Sequence, residues 1–224
     1  THVGNVTLTS QAEVDAIAQD PFTRLDGDLE ITGDDISNLD PLICLEHIEG
    51  TLLLHENPNL TSSDGLRHVK NAGDVFVYQN PQLTFLGFTD LVSVDRAIGI
   101  SHNQSLVTLD DLSNLESVGF LGIHNLPELE KLTTWTKLTK ALDGFYLGQN
   151  SKLRQASFPA LEKVGYILSI YDHPSLLEIQ MESLGAVIDG GTLNVSRNPL
   201  LEKFEVTSLE RLEGGLIYRE NASL

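Results

Sequence analysis

The chain has 224 residues, 41% of them hydrophobic, enough to fill a continuous core and too many for a disordered segment. Its 14 basic and 32 acidic residues leave a formal charge of −18, a field that repels nucleic acid and anionic membrane surfaces, whose recognition rests on neutralising phosphates. No apolar run approaches the ~20 residues of a membrane span, and Cys44, the one cysteine, excludes an intrachain disulfide, a CxxC redox pair and a Cys-rich zinc site.

In chain order, Gly4 to Leu8 predicts a strand. Ser10 followed by Glu13 has the spacing of a capping box and predicts a short helix with Val14, Ile17 and Ala18 on one face, ended by Asp20-Pro21. A solenoid needs its first coil covered, and this helix is the expected lid.

From Gly27 onward one unit recurs, clearest in Gly50-Thr-Leu-Leu-Leu-His-Glu-Asn-Pro-Asn-Leu60. With its glycine at offset 0, coils begin at Gly27, Gly50, Gly73, Arg96, Gly119, Asp143, Tyr166, Gly191 and Gly214, in steps of 23 to 25 residues. Apolar residues at offsets 2 and 4, such as Leu52/Leu54, Val75/Val77 and Phe145/Leu147, alternate with outward positions as a half-buried strand requires. Further apolar residues every three positions or so, as in Leu106, Leu109, Leu112 and Leu115, predict short strands and bends around a narrow core. The expected fold is mainly β: a parallel β-helix, or solenoid, of about nine ~23-residue coils with a short N-terminal capping helix. At about 4.8 Å per strand it spans roughly 43 Å. It forms one domain over 1–224, with the strand–helix cap over 1–26 and the coils over 27–224. The ninth coil stops at Leu224, its offset 10, which suggests an excerpt of a longer parent chain with its C-terminal end cut short.

Offset 7 holds Asn57, Asn80, Asn103, Asn150, Asn198 and Asn221. An amide carries both donors and an acceptor, so a stack of them predicts a buried structural ladder joining coil to coil. Asp34, Leu126 and His173 depart from it, and Leu126 should break the ladder, with Asn125 pointing elsewhere. The pattern is leucine-rich-repeat-like without being the common repeat, whose Asn stands two residues before the next leucine; here, as from Asn57 to Leu60, the gap is three.

The outward columns of the sheet fall at offsets 3 and 5. They hold Leu53, His55, Phe76 and Tyr78, then Gly99 and Gly122, with His124 beside them and Tyr146 and Tyr171 beyond. The expectation is a shallow depression floored by backbone between aromatic walls roughly 14 Å apart. Leu53, His55, Phe76, Tyr78, His124, Tyr146 and Tyr171 are the candidate ligand-binding residues. Such a patch also suits contact with another copy of the chain.

Other chemistry finds less support. His102 and His124 sit on adjacent coils without a third ligand, so no metal and no cofactor is expected. Glu30 is the only carboxylate in the outward columns, with Glu56, Asp172 and Glu220 at the flanking offset 6, and no acid pair of glycosidase geometry emerges. No catalytic residue is assigned, and the chain reads as a non-enzyme. Of five Asn-x-Ser/Thr triplets, those at Asn103 and Asn221 fall in the ladder, where a glycan has no room.

These residues resemble the receptor L-domain family: the ligand-binding L domains of the insulin and epidermal growth factor receptors and their bacterial and fungal surface relatives. The Gly-x-Leu-x-Ile-x-x-Asn-Pro-x-Leu unit at Gly50 to Leu60 and Gly73 to Leu83, the opening Gly4 to Leu8, and Ile36 to Leu42 carry the likeness. The resemblance implies a right-handed single-stranded β-helix, extracellular or at the cell surface with the periplasm as alternative, that takes a partner on its broad sheet. Receptor L domains carry cap disulfides, which this chain cannot form, and eight full coils exceed the usual receptor domain; both features suit a bacterial or fungal surface-type relative. The functional expectation is a recognition or adhesion module for a glycan or protein partner, with a structural spacer or stalk as alternative and a polysaccharide-active enzyme third. No nucleic acid and no membrane insertion by this segment are expected.

Overall fold

The computed structural model describes residues 1–221, so the expected end of the ninth coil at Leu224 lies outside the described residues. The chain is a parallel β-solenoid of about nine coils. Its principal sheet has 13 strands, built chiefly from His47–His55, Asn71–Tyr78, Ser93–Ser101, Ser117–His124, Lys140–Gly148, Lys163–Tyr171 and Ala186–Ser196. The strands follow one another in chain order, all parallel. Offset 2 of each coil pairs with offset 2 of the next, Leu52 with Val75, Val75 with Ile98, and so on to Leu168 with Leu193.

These strands are longer than the alternation at offsets 2 to 5 implies. They begin about three residues before offset 0 and cross it through a register shift, as between Ile48 and Thr51 or Val94 and Ala97. A bulge bends the strand around the core there. It also brings successive coils' backbones close: a Cβ on Gly73 would lie 2.6 Å from the Glu49 carbonyl oxygen, and one on Gly119 would strike that of Arg96. Close approach of backbone to backbone therefore explains the glycines of this column.

The back of the solenoid changes along its length. Early coils turn through 3-10 segments at Asp40–Leu42, Asp64–Leu66 and Asp110–Leu112, each burying its leucine. Later coils instead pair Lys131–Leu132, Gln155–Ser157, Glu178–Gln180 and Lys203–Glu205 into a second parallel sheet. Leu132, Ala156 and Ile179 point inward there between polar neighbours, the period-two pattern that a half-buried strand needs.

One hydrophobic cluster runs from Leu8 to Leu201. Among its largest side chains, Trp135, Phe145 and Phe158 meet in edge-to-face contacts, with ring centroids 5.7 and 5.0 Å apart. The Trp135 indole N–H donates to the Leu109 carbonyl at 3.0 Å, so its polar atom costs nothing on burial. At the N-terminal end the lid is Gln11–Ala16, capped by Ser10, whose Oγ accepts from the Glu13 N–H. Glu13 in turn accepts the Thr9 N–H at 2.6 Å, which lowers its pKa. Val14 is buried and Ile17 half-buried, but Ala18 is exposed, because the helix tightens into a 3-10 turn at Ile17–Gln19 and rotates it off the apolar face. At the other end Leu216 and Tyr218 hold inward offsets and stay exposed, since an interior position is buried by coils on both sides.

The ladder at offset 7 joins these coils. Asn80 Oδ1 accepts the backbone N–H of Asn57 (3.1 Å), while its Nδ2 donates back to the carbonyls of Leu54 and Tyr78 (both 3.0 Å). Asn103 repeats the pattern toward Asn80 and Val77, Asn198 toward His173 and Ile170, and Asn221 toward Asn198 and Val195. His173 departs in sequence but serves as a rung. Its Nδ1 accepts the Asn150 N–H at 3.2 Å and its Nε2 lies 3.1 Å from the Leu147 carbonyl, so a neutral ring protonated on Nε2 reproduces the amide's acceptor and donor. Burial holds its pKa below the ordinary histidine value. Leu126 offers only its backbone N–H, to Asn150 Oδ1 (2.9 Å), and the side-chain ladder lapses there; the Asn125 amide turns instead to His124.

Candidate functional site

The residue before each rung, at offset 6, has a left-handed backbone. Glu56, Gln79, His102, Asn125, Gln149, Asp172, Arg197 and Glu220 all have φ between 53° and 58°. Non-glycine residues reach this region at a cost. In two coils the rung at offset 7 also braces the turn by donating to the carbonyl at offset 5 of its own coil, Asn57 to His55 at 2.9 Å and Asn80 to Tyr78 at 3.0 Å. The sharp turn ends the sheet and lifts the offset 6 side chains along one margin of its outer face.

On that face a depression of about 340 Å³ crosses the strands from coil three to coil seven. Asn71–Tyr78 contributes Phe76 and Tyr78, and Ser93–Ser101 contributes Gly99 and Ser101. Ser117–His124 adds Phe120, Gly122 and His124, and the next two strands add Tyr146 and Tyr171. Five of the seven candidate residues thus meet in one hollow. Leu53 and His55 do not line it. His55 stacks on Tyr78 with centroids 5.1 Å apart and lies 3.1 Å from Glu30, forming a shelf beside the hollow, while Leu53 faces a separate recess with Thr7 and Glu30.

The floor differs from the expectation of bare backbone. Phe76 leans over Gly99, where an added Cβ would sit 2.8 Å from its Cδ1, and Phe120 leans over Gly122 at 3.0 Å. Tyr171 covers Gly148, whose Cβ would lie 2.5 Å from the ring. Each missing side chain leaves apolar area that a neighbouring ring folds down to cover. The walls are correspondingly continuous: Phe120 and Tyr146 centroids are 5.4 Å apart, and those of Tyr146 and Tyr171 are 6.5 Å apart in an edge contact. Ser101 and Phe120 are the lining side chains that the candidate set missed, and Phe120 is the aromatic one. It stands at offset 1, on a strand the alternation did not extend that far.

The hollow carries little charge. His124 has its pKa lowered, first by burial and then by His102, whose ring meets it edge-on at 5.7 Å. Burial raises the Tyr171 phenol, and so does the neighbouring Asp172. Asp172 is itself held by Arg197 at 2.8 Å, and the Arg197 guanidinium lies 6.0 Å from the Tyr171 ring centre. Past the bulge, Asp74 is paired with Arg96 at 2.6 Å.

A larger groove of about 550 Å³ lies by the second sheet, lined by Glu130, Lys131, Lys152, Arg154 and Ser175. Its charged groups are exposed, and Lys152 is paired with Glu128 at 2.6 Å, as on any solvated surface. Among the described residues no three His, Cys, Asp or Glu side chains converge to hold a metal ion, and no helix is long and apolar enough to cross a membrane.

No family model matches the chain, and no solved structure matches it. It is 31% identical over 163 residues, 73% of its length, to Sporulation-specific protein 2 of Saccharomyces cerevisiae, and it spans 31% of that protein's length.

Proposed function

We propose that the chain is an extracellular or cell-surface recognition module that takes a glycan or protein partner on the outer face of its principal sheet. The observation that carries this is the hollow of about 340 Å³ in which four of five successive coils place an aromatic side chain on the outer face of an acidic molecule. Rigid aromatic rings bury large area on binding and lose little conformational entropy. The hollow's size lies within the range of ligand sites. The resemblance to receptor L domains, which bind on the corresponding face, supports the same surface. The reading is of binding without catalysis: the carboxylates nearest the face, Glu30 and Asp172, are engaged by His55 and Arg197.

The test is a glycan array and a peptide-library screen on the wild-type chain and on Phe76→Ala/Tyr146→Ala. Ligand capture should vanish in the double variant while its circular dichroism and cooperative melting persist. A ligand bound at full strength by the double variant would move the site elsewhere. The alternative, a structural spacer, draws on the unbroken 13-stranded sheet and predicts that neither protein captures a ligand.

A further inference from the structure

Resting on that reading of the face, we infer that its ligand is an uncharged, extended oligosaccharide laid across the strands, along the solenoid axis. Three observations converge on this class.

The first is charge. In a chain of net charge −18, the residues lining the hollow include no carboxylate and no lysine or arginine. Charged groups around it, Asp172 with Arg197, Asp74 with Arg96 and Glu30 with His55, are already engaged with each other. The margin beside the first four of its five coils carries no carboxylate, lysine or arginine: offset 6 reads Gln79, His102, Asn125 and Gln149, while on the fifth coil Asp172 is engaged by Arg197. A basic peptide would meet no anion here and an acidic polysaccharide no cation, so neither would gain the complementarity that selects charged partners.

The second is the mixture of surfaces. A pyranose ring presents an apolar C–H face and an edge of hydroxyl groups. The flat rings of Phe76, Phe120, Tyr146 and Tyr171 suit the former. The phenol groups, the Ser101 hydroxyl and the amides of the margin suit the latter, each able to donate or accept. An extended peptide is less well served. Its backbone N–H and C=O groups need partners, and peptide-binding sheets supply them from a free edge. Here the strands under the hollow are hydrogen-bonded on both sides, so the face offers side chains only.

The third is direction. The lining runs from the strand of Phe76 to that of Tyr171, four strand spacings or roughly 19 Å. That length exceeds a single sugar and calls for a linear chain.

The experiment is isothermal titration of the intact chain with neutral oligosaccharides of one to six sugars, derived from β-glucan, mannan and chitin. Sulfated and uronate-containing oligomers and the peptide pool are run alongside. Expected is binding of a neutral series that strengthens with chain length, is insensitive to salt, and weakens by about tenfold or more in Tyr146→Ala. Ser101→Trp, which fills the hollow without removing a packed ring, should weaken it as much. Failure of every neutral series to bind overturns the inference. A peptide or acidic oligomer bound by the wild type and lost in Tyr146→Ala and Ser101→Trp overturns the ligand class and leaves the face standing. A neutral oligosaccharide bound equally by both variants overturns the face and the inference together.

Discussion

Offsets 5 and 7 lie two residues apart on every coil, yet their side chains obey opposite constraints. At offset 7 all but Asp34 and Leu126 repeat one chemistry, an acceptor and a donor buried at zero to 8% exposure, and the single histidine there mimics an amide. At offset 5 it changes from coil to coil, from His55 and Tyr78 through Ser101 and His124 to Gly148 and Tyr171. The turn explains the contrast. Offset 7 faces buried backbone groups of the neighbouring coils that need partners, whereas offset 5 faces outward, where each coil is free to present what a partner requires. The glycines divide the same way. Gly119 faces the backbone of the preceding coil, and Gly99 faces the movable edge of a Phe76 ring.

The comparison breaks most readily at its structural column. Asn80→Ala strands the Asn57 N–H and removes the donor to the carbonyls of Leu54 and Tyr78, and should cost about 1–3 kcal/mol of unfolding free energy in urea titration. Gly119→Ala, forced against the Arg96 carbonyl, should cost about 1–3 kcal/mol as well. Unchanged midpoints in both would mean that these columns are not structural.

His173→Asn sharpens the comparison through pH. The folded pKa of His173 lies below its ordinary value of 6.5, so the unfolded chain takes up that proton first as pH falls. Its contribution is therefore intact above about pH 6.5, declines below it by up to about 1.4 kcal/mol per pH unit, and is fully lost once the folded value is passed. The asparagine variant should match the wild type at pH 8 and exceed it at pH 5, measured by urea unfolding at each pH. Equal slopes would show that the ring is not held neutral in the ladder.

Smaller effects belong to the face. Gly99→Ala pushes on the edge of a half-exposed ring and should change stability by less than about 0.5 kcal/mol, while reducing ligand capture by crowding the hollow. Lys152→Ala in the larger groove of the second sheet should change stability by within about 0.5 kcal/mol and leave ligand capture intact, because its pair with Glu128 is exposed. If Lys152→Ala abolishes capture and Gly99→Ala does not, the two grooves have been assigned the wrong way round.

The sequence by itself determined the solenoid, its register, the rungs of the ladder and most of the aromatic face. All of these follow from one period: a coil that stacks on itself must repeat its buried residues at fixed spacing, and Leu52, Val75 and Ile98 or Asn57, Asn80 and Asn103 display that spacing directly. Only the tertiary structure decided where side chains lie between coils. The left-handed turn at offset 6 is occupied by Glu, Gln, His, Asn, Asp and Arg, a mixture with no shared chemistry to signal it, and it recurs even at Asn125, where Leu126 supplies no side-chain rung. His173 looked like a gap until two carbonyls and an N–H from the preceding coil surrounded it. Phe120 lay outside the alternating pattern until the bulge carried the strand past the glycine, and Phe76, Phe120 and Tyr171 closed over glycines of adjacent positions. A ring settles where its neighbours leave apolar surface uncovered, and in a solenoid those neighbours are about 23 residues away, so no local window of sequence contains the information.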